Sequence, residues 1–340
     1  MKKFAILALA AVMVVALTVP AAALENEFGG YWRTRMFTQG HFDGEDADDE
    51  NLRRVDTRTR LYYTAKINDN LKFVNKFEFD ATWGETGARA PLVLTDSAGD
   101  TVVVPRDSNS VYGDVGADGV RVEVKNSYAD FNVGPVNTTV GVQAYSLFRD
   151  FAISDDASGI IARWKVLDNF VLAGSWLKNY EGGSGSGNNE DLDTWTLTGA
   201  FWFSENISIK PSLSYARSSE VATGFGTVLL GTDGGAGTIN GTAPFGEAEV
   251  FTYGFDFDAS FDNFGVWATA FGQSGSVEAT SGITGIPQED YDFKGWLAAV
   301  GGNVMLDLGI GLDLHGQFFY TPGDDDPTDS DIDNIFTPSG

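Results

Sequence analysis

Residues 54–67 read RVDTRTRLYYTAKI. Taken alternately, Arg54, Asp56, Arg58, Arg60, Tyr62, Thr64 and Lys66 form one set, and Val55, Thr57, Thr59, Leu61, Tyr63, Ala65 and Ile67 the other. Every charge lies in the first set. Successive side chains of a strand point to opposite faces, so as a strand this segment has one charged and one uncharged face. A helix would scatter the charges around its circumference. The segment that follows repeats the pattern: Leu71, Phe73, Phe77, Phe79, Ala81 and Trp83 share one phase, and Lys72, Lys76, Glu78 and Asp80 the other. Residues 251–261 set Phe251, Tyr253, Phe255, Phe257 and Phe261 against Thr252, Asp256, Asp258 and Ser260.

Extended along the chain, the period-two signal predicts about 13 strands: 28–38, 53–67, 71–83, 120–133, 138–149, 159–166, 170–180, 192–203, 207–217, 248–261, 264–273, 292–306 and 309–320. Residues 292–306 alternate poorly, and Pro211 lies inside a strand where it removes a ladder donor. The connections alternate in length. Short ones fall near 67–70, 134–137, 167–169, 204–206, 262–263 and 307–308; long ones span 39–52, 84–119, 150–158, 181–191, 218–247 and 274–291. Short turns on one side and long loops on the other are the layout of an antiparallel transmembrane β-barrel. Nearly every segment reaches the roughly 9–11 residues that a tilted spanning strand needs.

The first 23 residues read as a signal peptide, with Lys2 and Lys3, an apolar run from Phe4 to Leu17, Pro20, and Ala21-Ala22-Ala23 as cleavage site. Residues 24–340 are then the barrel. Thirteen strands leave the chain on the outer side, so the reading expects a barrel of about 16 strands that is incomplete at its C-terminus. There is no cysteine, which excludes disulfides and thiolate metal sites. The formal net charge is -26, or -28 without Lys2 and Lys3, which argues against nucleic acid as a partner.

The basic residues are unevenly placed. Nine of the 20 that remain after the signal lie between Arg33 and Lys76. A charge on the lipid side costs about 2–4 kcal/mol at the midplane. The charged phase is therefore expected to line a watery pore: Arg33, Arg35, Arg54, Arg58, Arg60, Lys66, Lys72, Lys76, Glu78, Asp80, Arg121, Glu123 and Lys125, with Arg149, Arg163 and Lys165 continuing it. A basic wall would favour anions, whereas the interspersed Glu78, Asp80 and Glu123 point to a balanced wall. Loop 84–119, with Arg89, Arg106 and Asp107, is the candidate constriction, and loop 218–247 its rival.

Acidic residues gather in the loops. Asp46, Asp48 and Glu50 have the spacing of hard-cation ligands but no full cation-loop motif. No cofactor is expected beyond surface Ca²⁺ or Mg²⁺ shared with lipopolysaccharide. His315 shares a phase with Asp313 and Gln317 but has no nucleophile motif beside it, and His41 lies in the first loop; no enzyme activity is expected. All eight Trp fall in predicted strands, several near an end, as interfacial girdles require.

Residues 118–180 carry a VEVK-x-x-Y-x-D-F strand, a V-G-x-Q strand and a D-D-A-S-G loop entering the next strand. This stretch resembles the homotrimeric porins of sulfate-reducing delta-class bacteria. The resemblance implies a water-filled outer-membrane barrel of a Gram-negative cell, three per assembly, surrounded by lipid and lipopolysaccharide and passing small hydrophilic solutes. The alternatives are a channel selective for anionic sugars or organic acids, and a non-conducting structural or adhesive barrel.

Overall fold

A computed structural model describes residues 24–39, 52–83, 92–95, 101–104, 122–180, 191–218, 245–279, 290–307, 309–323 and 330–337. The described chain is all-β. In chain order the strands are β1 (Glu25–Gln39), β2 (Leu52–Asn68), β3 (Leu71–Thr82), β4 (Leu92–Thr95), β5 (Thr101–Val104), β6 (Glu123–Val133), β7 (Val136–Leu147), β8 (Ile153–Leu167), β9 (Phe170–Tyr180), β10 (Leu192–Ser204), β11 (Ile207–Ser218), β12 (Phe245–Ser260), β13 (Phe264–Ala279), β14 (Tyr291–Phe293), β15 (Trp296–Asp307), β16 (Gly311–Tyr320) and β17 (Asp331–Ile332). Each of the 13 predicted strands is present. The additions are the β4–β5 hairpin inside the predicted loop 84–119, and the short β14 and β17.

Contacts divide the chain into two units, residues 1–129 and 130–340, with the boundary inside β6. In the first unit the ladder runs β1-β2-β3-β6, and in the second β7 to β13 follow in chain order, with β15 and β16 beyond β13. Each unit is an up-and-down antiparallel meander. Among the described residues β1 is laddered to β2 alone and β16 to β15 alone. No described helix is long and apolar enough to cross a membrane.

Register keeps the two faces apart from strand to strand. Trp32 lies opposite Thr59, and Thr59 opposite Phe79; Arg33 lies opposite Arg58, and Arg58 opposite Asp80. In the second unit Leu197 faces Leu213, and Leu213 faces Tyr253, while Thr196 faces Ser214 and Ser214 faces Thr252. A slip of one residue would exchange the faces, so pattern and register specify each other. Exposure follows the pattern: Leu197, Leu213, Tyr253, Val300 and Phe318 are exposed, whereas Thr194, Thr196, Ser214 and Thr269 are buried. A water-soluble sheet has the reverse arrangement.

The short turns fall where predicted, at Asp69–Asn70, Gly134–Pro135, Asp168–Asn169 and Glu205–Asn206. Gly134 takes φ 58°, a left-handed value that costs glycine little. At Pro211 the β10–β11 register passes from Thr198↔Ser212 to Phe201↔Ile209 without a pair, as a missing N–H requires, while Pro211 still faces Phe255 of β12.

Two expectations are corrected. The predicted long loop 150–158 is a tight connection, because β8 begins at Ile153; Asp155-Asp156-Ala157-Ser158-Gly159 is strand, laddered to Gln143, Ala144 and their neighbours. Residues 292–306 are two elements, β14 and β15, separated by Lys294 and Gly295. Their burial alternates regularly, with Tyr291, Phe293, Leu297 and Ala299 buried and Trp296 and Val300 exposed. Hydropathy fails to alternate there because the inner face is apolar too.

Candidate functional site

The first unit assembles the predicted charged wall. Strands β1, β2 and β3 place Arg33, Arg35, Arg54, Asp56, Arg58, Arg60, Glu78 and Asp80 on one face through their register. Arg58 makes a bidentate pair with Asp80, Nε to Oδ1 at 2.8 Å and Nη2 to Oδ2 at 2.5 Å, and reaches Glu78 at 3.0 Å. Arg60 pairs with the other oxygen of Glu78, whose side chain is buried. Arg35 donates to Asp56 from Nε at 3.0 Å and Nη2 at 2.6 Å. Arg54 donates to the Thr82 hydroxyl at 2.8 and 3.2 Å. A buried carboxylate shared by two guanidiniums holds both in place. Lys76 lies over the Tyr62 ring at 5.4 Å, and Arg60 over Tyr31 at 5.6 Å. Lys66 and Lys72 face each other directly, and Lys66 is held by Glu25 at 3.5 Å and Asp69 at 3.6 Å.

Not every predicted lining residue joins this wall. Ser127 of β6 hydrogen-bonds Asn75 at 3.1 Å, on the face of Phe73 and Phe77. Glu123 and Lys125 share the phase of Ser127 and so lie on the side opposite Arg58, paired to each other at 3.1 Å. The prediction carried the polar phase across the 83–122 connection, whose length sets the phase of β6 and cannot be read from composition. Arg121, Arg89, Arg106, Asp107, Asp46, Asp48, Glu50 and His41 lie outside the described residues, as does the signal peptide. His315 sits opposite Asn303, and Asp313 opposite Met305. No group of metal-binding side chains occurs among the described residues.

In the second unit the inner face is occupied, and by a segment the sequence did not single out. The β7–β8 connection, residues 148–152, folds inward onto strands far along the ladder. Phe148 stacks on Phe271 of β13 at 4.9 Å, and Phe151 meets Phe319 of β16 at 5.8 Å. Arg149 pairs with Asp258 of β12 and sits 4.8 Å over the Trp267 ring. Lys210 of β11 holds the other oxygen of Asp258 at 3.3 Å. The sheet of this unit therefore curls around the connection. Phe148, Arg149 and Asp150 take φ values of 52°, 52° and 70°, a left-handed run that costs non-glycine residues about 1–2 kcal/mol each. Burial of Phe148, Ala152 and Ile153 offsets that strain.

A second segment, residues 330–337, lies on the same face. Strand β17 runs parallel to β14, with Asp331 opposite Asp292 and Ile332 opposite Phe293. Lys294 pairs with Asp331. Ile332 and Phe336 pack with Tyr291, Phe293, Val250 and Val277, and Ile335 reaches the Phe148 cluster. A Cβ on Gly295 would lie 2.6 Å from the Asn334 carbonyl oxygen, so only glycine admits this segment so closely. Hence the apolar inner residues of β14 and β15 are matched by apolar residues of both segments.

Of the eight tryptophans, Trp32, Trp83, Trp164, Trp176, Trp195 and Trp296 are exposed on the apolar side, the placement expected of interfacial rings. Trp267 departs from the girdle: it points inward beneath Arg149.

No family model matches the chain. No curated protein matches it. The likeness of residues 118–180 to porins of sulfate-reducing bacteria therefore gains no support from either comparison. Among solved structures, the chain is similar to OmpF of Salmonella typhi in complex with daunomycin, at 12% identity over 88% of this chain and 78% of that one, with a TM-score of 0.46. It is also similar to a porin refined at 1.8 Å resolution, at 12% identity over 89% and 96% with a TM-score of 0.41, and to OprB of Pseudomonas putida, at 10% identity over 82% and 75% with a TM-score of 0.42.

Proposed function

We propose that the chain is an outer-membrane porin that passes small hydrophilic solutes by passive diffusion. The observation that carries this reading is the two-faced sheet: in the β1–β2–β3 and β10–β11–β12 ladders, register sets exposed Leu, Phe, Tyr and Trp on one side and paired charges and hydroxyls on the other. A surface of exposed large apolar residues on consecutive strands belongs in lipid, and a face of paired Arg and carboxylates belongs against water. The N-terminal signal supplies the route out of the cytoplasm.

In this reading the ladder of Arg33, Arg35, Arg54, Arg58 and Arg60 with Asp56, Glu78 and Asp80 is pore wall. The inward Arg149 connection narrows the passage. Solutes are sorted by size and charge, and no bond is made or broken. By the resemblance above, three copies assemble among lipid and lipopolysaccharide; chemical cross-linking in membranes that stops at three copies tests this.

The decisive experiment is a planar bilayer recording of the refolded protein. Stepwise ohmic current that scales with bulk salt supports the porin. A sealed bilayer with folded, inserted protein favours the non-conducting structural barrel.

A further inference from the structure

Strand β14 has one edge that the antiparallel ladder does not use. On its other edge, Asp292 and Tyr291 lie opposite Ser276 and Val277 of β13. Strand β16 reaches only as far as Tyr320, opposite Ala298 of β15. Beyond that point the N–H groups of Asp292 and Lys294 donate to the carbonyls of Ser330 and Ile332, at 2.8 and 2.9 Å. Strands β7 to β16 pair antiparallel, whereas β17 joins β14 in parallel, over two residue pairs.

The contacts that hold residues 330–336 are of two kinds. One kind reads main chain: the Asp292 and Lys294 N–H groups, the Gln273 amide on both polar groups of Phe336, and Gly295, where the Asn334 carbonyl passes too close for a side chain. The other kind takes chosen side chains. Lys294 pairs with Asp331, Ile332 enters the cluster of Val250, Val277 and Tyr291, and Phe336 meets Phe293 at 5.8 Å between ring centres. Main-chain bonds along a sheet edge, with pockets for selected side chains, are how extended peptides bind by strand addition.

We infer that the β14 edge, Gln273 and the apolar residues beside them form a binding groove for an extended peptide, which residues 330–336 occupy in cis. The ligand class follows from the contacts: an acidic residue, then a branched aliphatic one, then an aromatic one four positions further, running parallel to β14. A free peptide of this pattern makes the same contacts and competes with the tethered segment. Strand β14 follows the long connection after β13, so on the porin reading the groove lies at the outer mouth. The groove itself does not depend on conduction.

The probe is the synthetic peptide Ser-Asp-Ile-Asp-Asn-Ile-Phe, the sequence of residues 330–336, with an N-terminal fluorophore. Its anisotropy should report saturable binding to the full chain carrying Phe336→Ala, whose own segment has lost its aromatic anchor. Gln273→Ala in that background should weaken the peptide about tenfold, the usual effect of leaving hydrogen-bonding groups unmade. A peptide of the reversed sequence, equal in composition, should not saturate. Heat-modifiable migration on gels confirms that each variant is folded. A second measurement leaves the segment intact. A tethered segment acts at an effective concentration of about 1 mM, so peptide at about 1 mM should speed thiol labelling of Ile335→Cys several-fold.

No saturable binding to folded Phe336→Ala overturns the groove. So does equal binding of the reversed peptide, which would reduce the contact to apolar adhesion. If Phe336→Ala does not fold, the labelling decides: a several-fold rise with peptide supports the groove, and an unchanged rate overturns it.

Discussion

The side-chain amide of Gln273 holds the main chain of Phe336 at both polar groups: Nε2 donates to the carbonyl at 2.7 Å, and Oε1 accepts from the N–H at 2.7 Å. One side chain thus satisfies a residue that is buried but lies in no ladder. Gln273→Ala removes both bonds at a cost of about 1–3 kcal/mol for each unsatisfied group. Residues 330–337 should then detach from the inner face. The chain has no cysteine, so Ile335→Cys provides a single probe. Its thiol should label slowly in the wild-type background and roughly tenfold or more faster with Gln273→Ala. Equal rates would mean that the β14–β17 pairing alone holds the segment.

Gly295→Ala tests the same contact sterically. The new methyl group would meet the Asn334 carbonyl oxygen at 2.6 Å, a distance at which backbone must move. It should expose Ile335→Cys without altering any hydrogen-bonding group. If labelling stays slow, the close approach at Gly295 is not what seats the segment.

Arg149 ties the inward connection to β12, and its removal should open the passage. Arg149→Gln leaves Asp258 with Lys210 at 3.3 Å and removes the cation above Trp267. Single-channel conductance should rise, and Asp258→Asn should raise it as well because it cuts the same tie from the other end. A fall in conductance, or opposite effects of the two variants, would show that the connection does not narrow the path.

Phe148 anchors that connection against the strained turn. It is almost wholly buried and stacked on Phe271. Phe148→Ala should destabilise the fold by about 3–5 kcal/mol, as large-to-small changes at packed aromatics do. Equilibrium urea unfolding from lipid vesicles, followed by tryptophan fluorescence, reads this directly. A loss below about 1 kcal/mol would place Phe148 among the tolerant surface positions instead.

The strands were legible because each is long and most are two-faced, and because turns such as Asp69–Asn70 punctuate them. The arginine ladder was legible for the same reason: one phase of β2 fixes one face, and β1 and β3 follow by register. Glu123 and Lys125 were misplaced because alternation fixes faces within a strand and says nothing across 83–122. The 148–152 connection was missed because apolar residues beside an Arg, as in Phe148-Arg149-Asp150-Phe151, look like the end of a strand. The signal was present in two places. Phe151 sat in a supposed solvated loop, and the inner phase of residues 291–299 was apolar where a wetted wall should be polar. Each marks one half of a contact between elements far apart in sequence, which periodicity cannot join.

The assignment of the apolar face to lipid can be tested at one position. Leu213 lies within β11, between Leu197 and Tyr253, and about half its surface is exposed. If that face meets lipid, Leu213→Arg carries a charge into hydrocarbon and should cost up to about 2–4 kcal/mol, depending on depth. If the face met water, the same substitution would fall within about 0.5 kcal/mol of wild type, as exposed surface changes do. Leu213→Ala controls for lost packing with Leu197. Unfolding free energies of the three proteins in vesicles separate the cases. A penalty specific to Arg that shrinks in thinner bilayers, where the site moves toward the interface, identifies the surrounding medium as lipid.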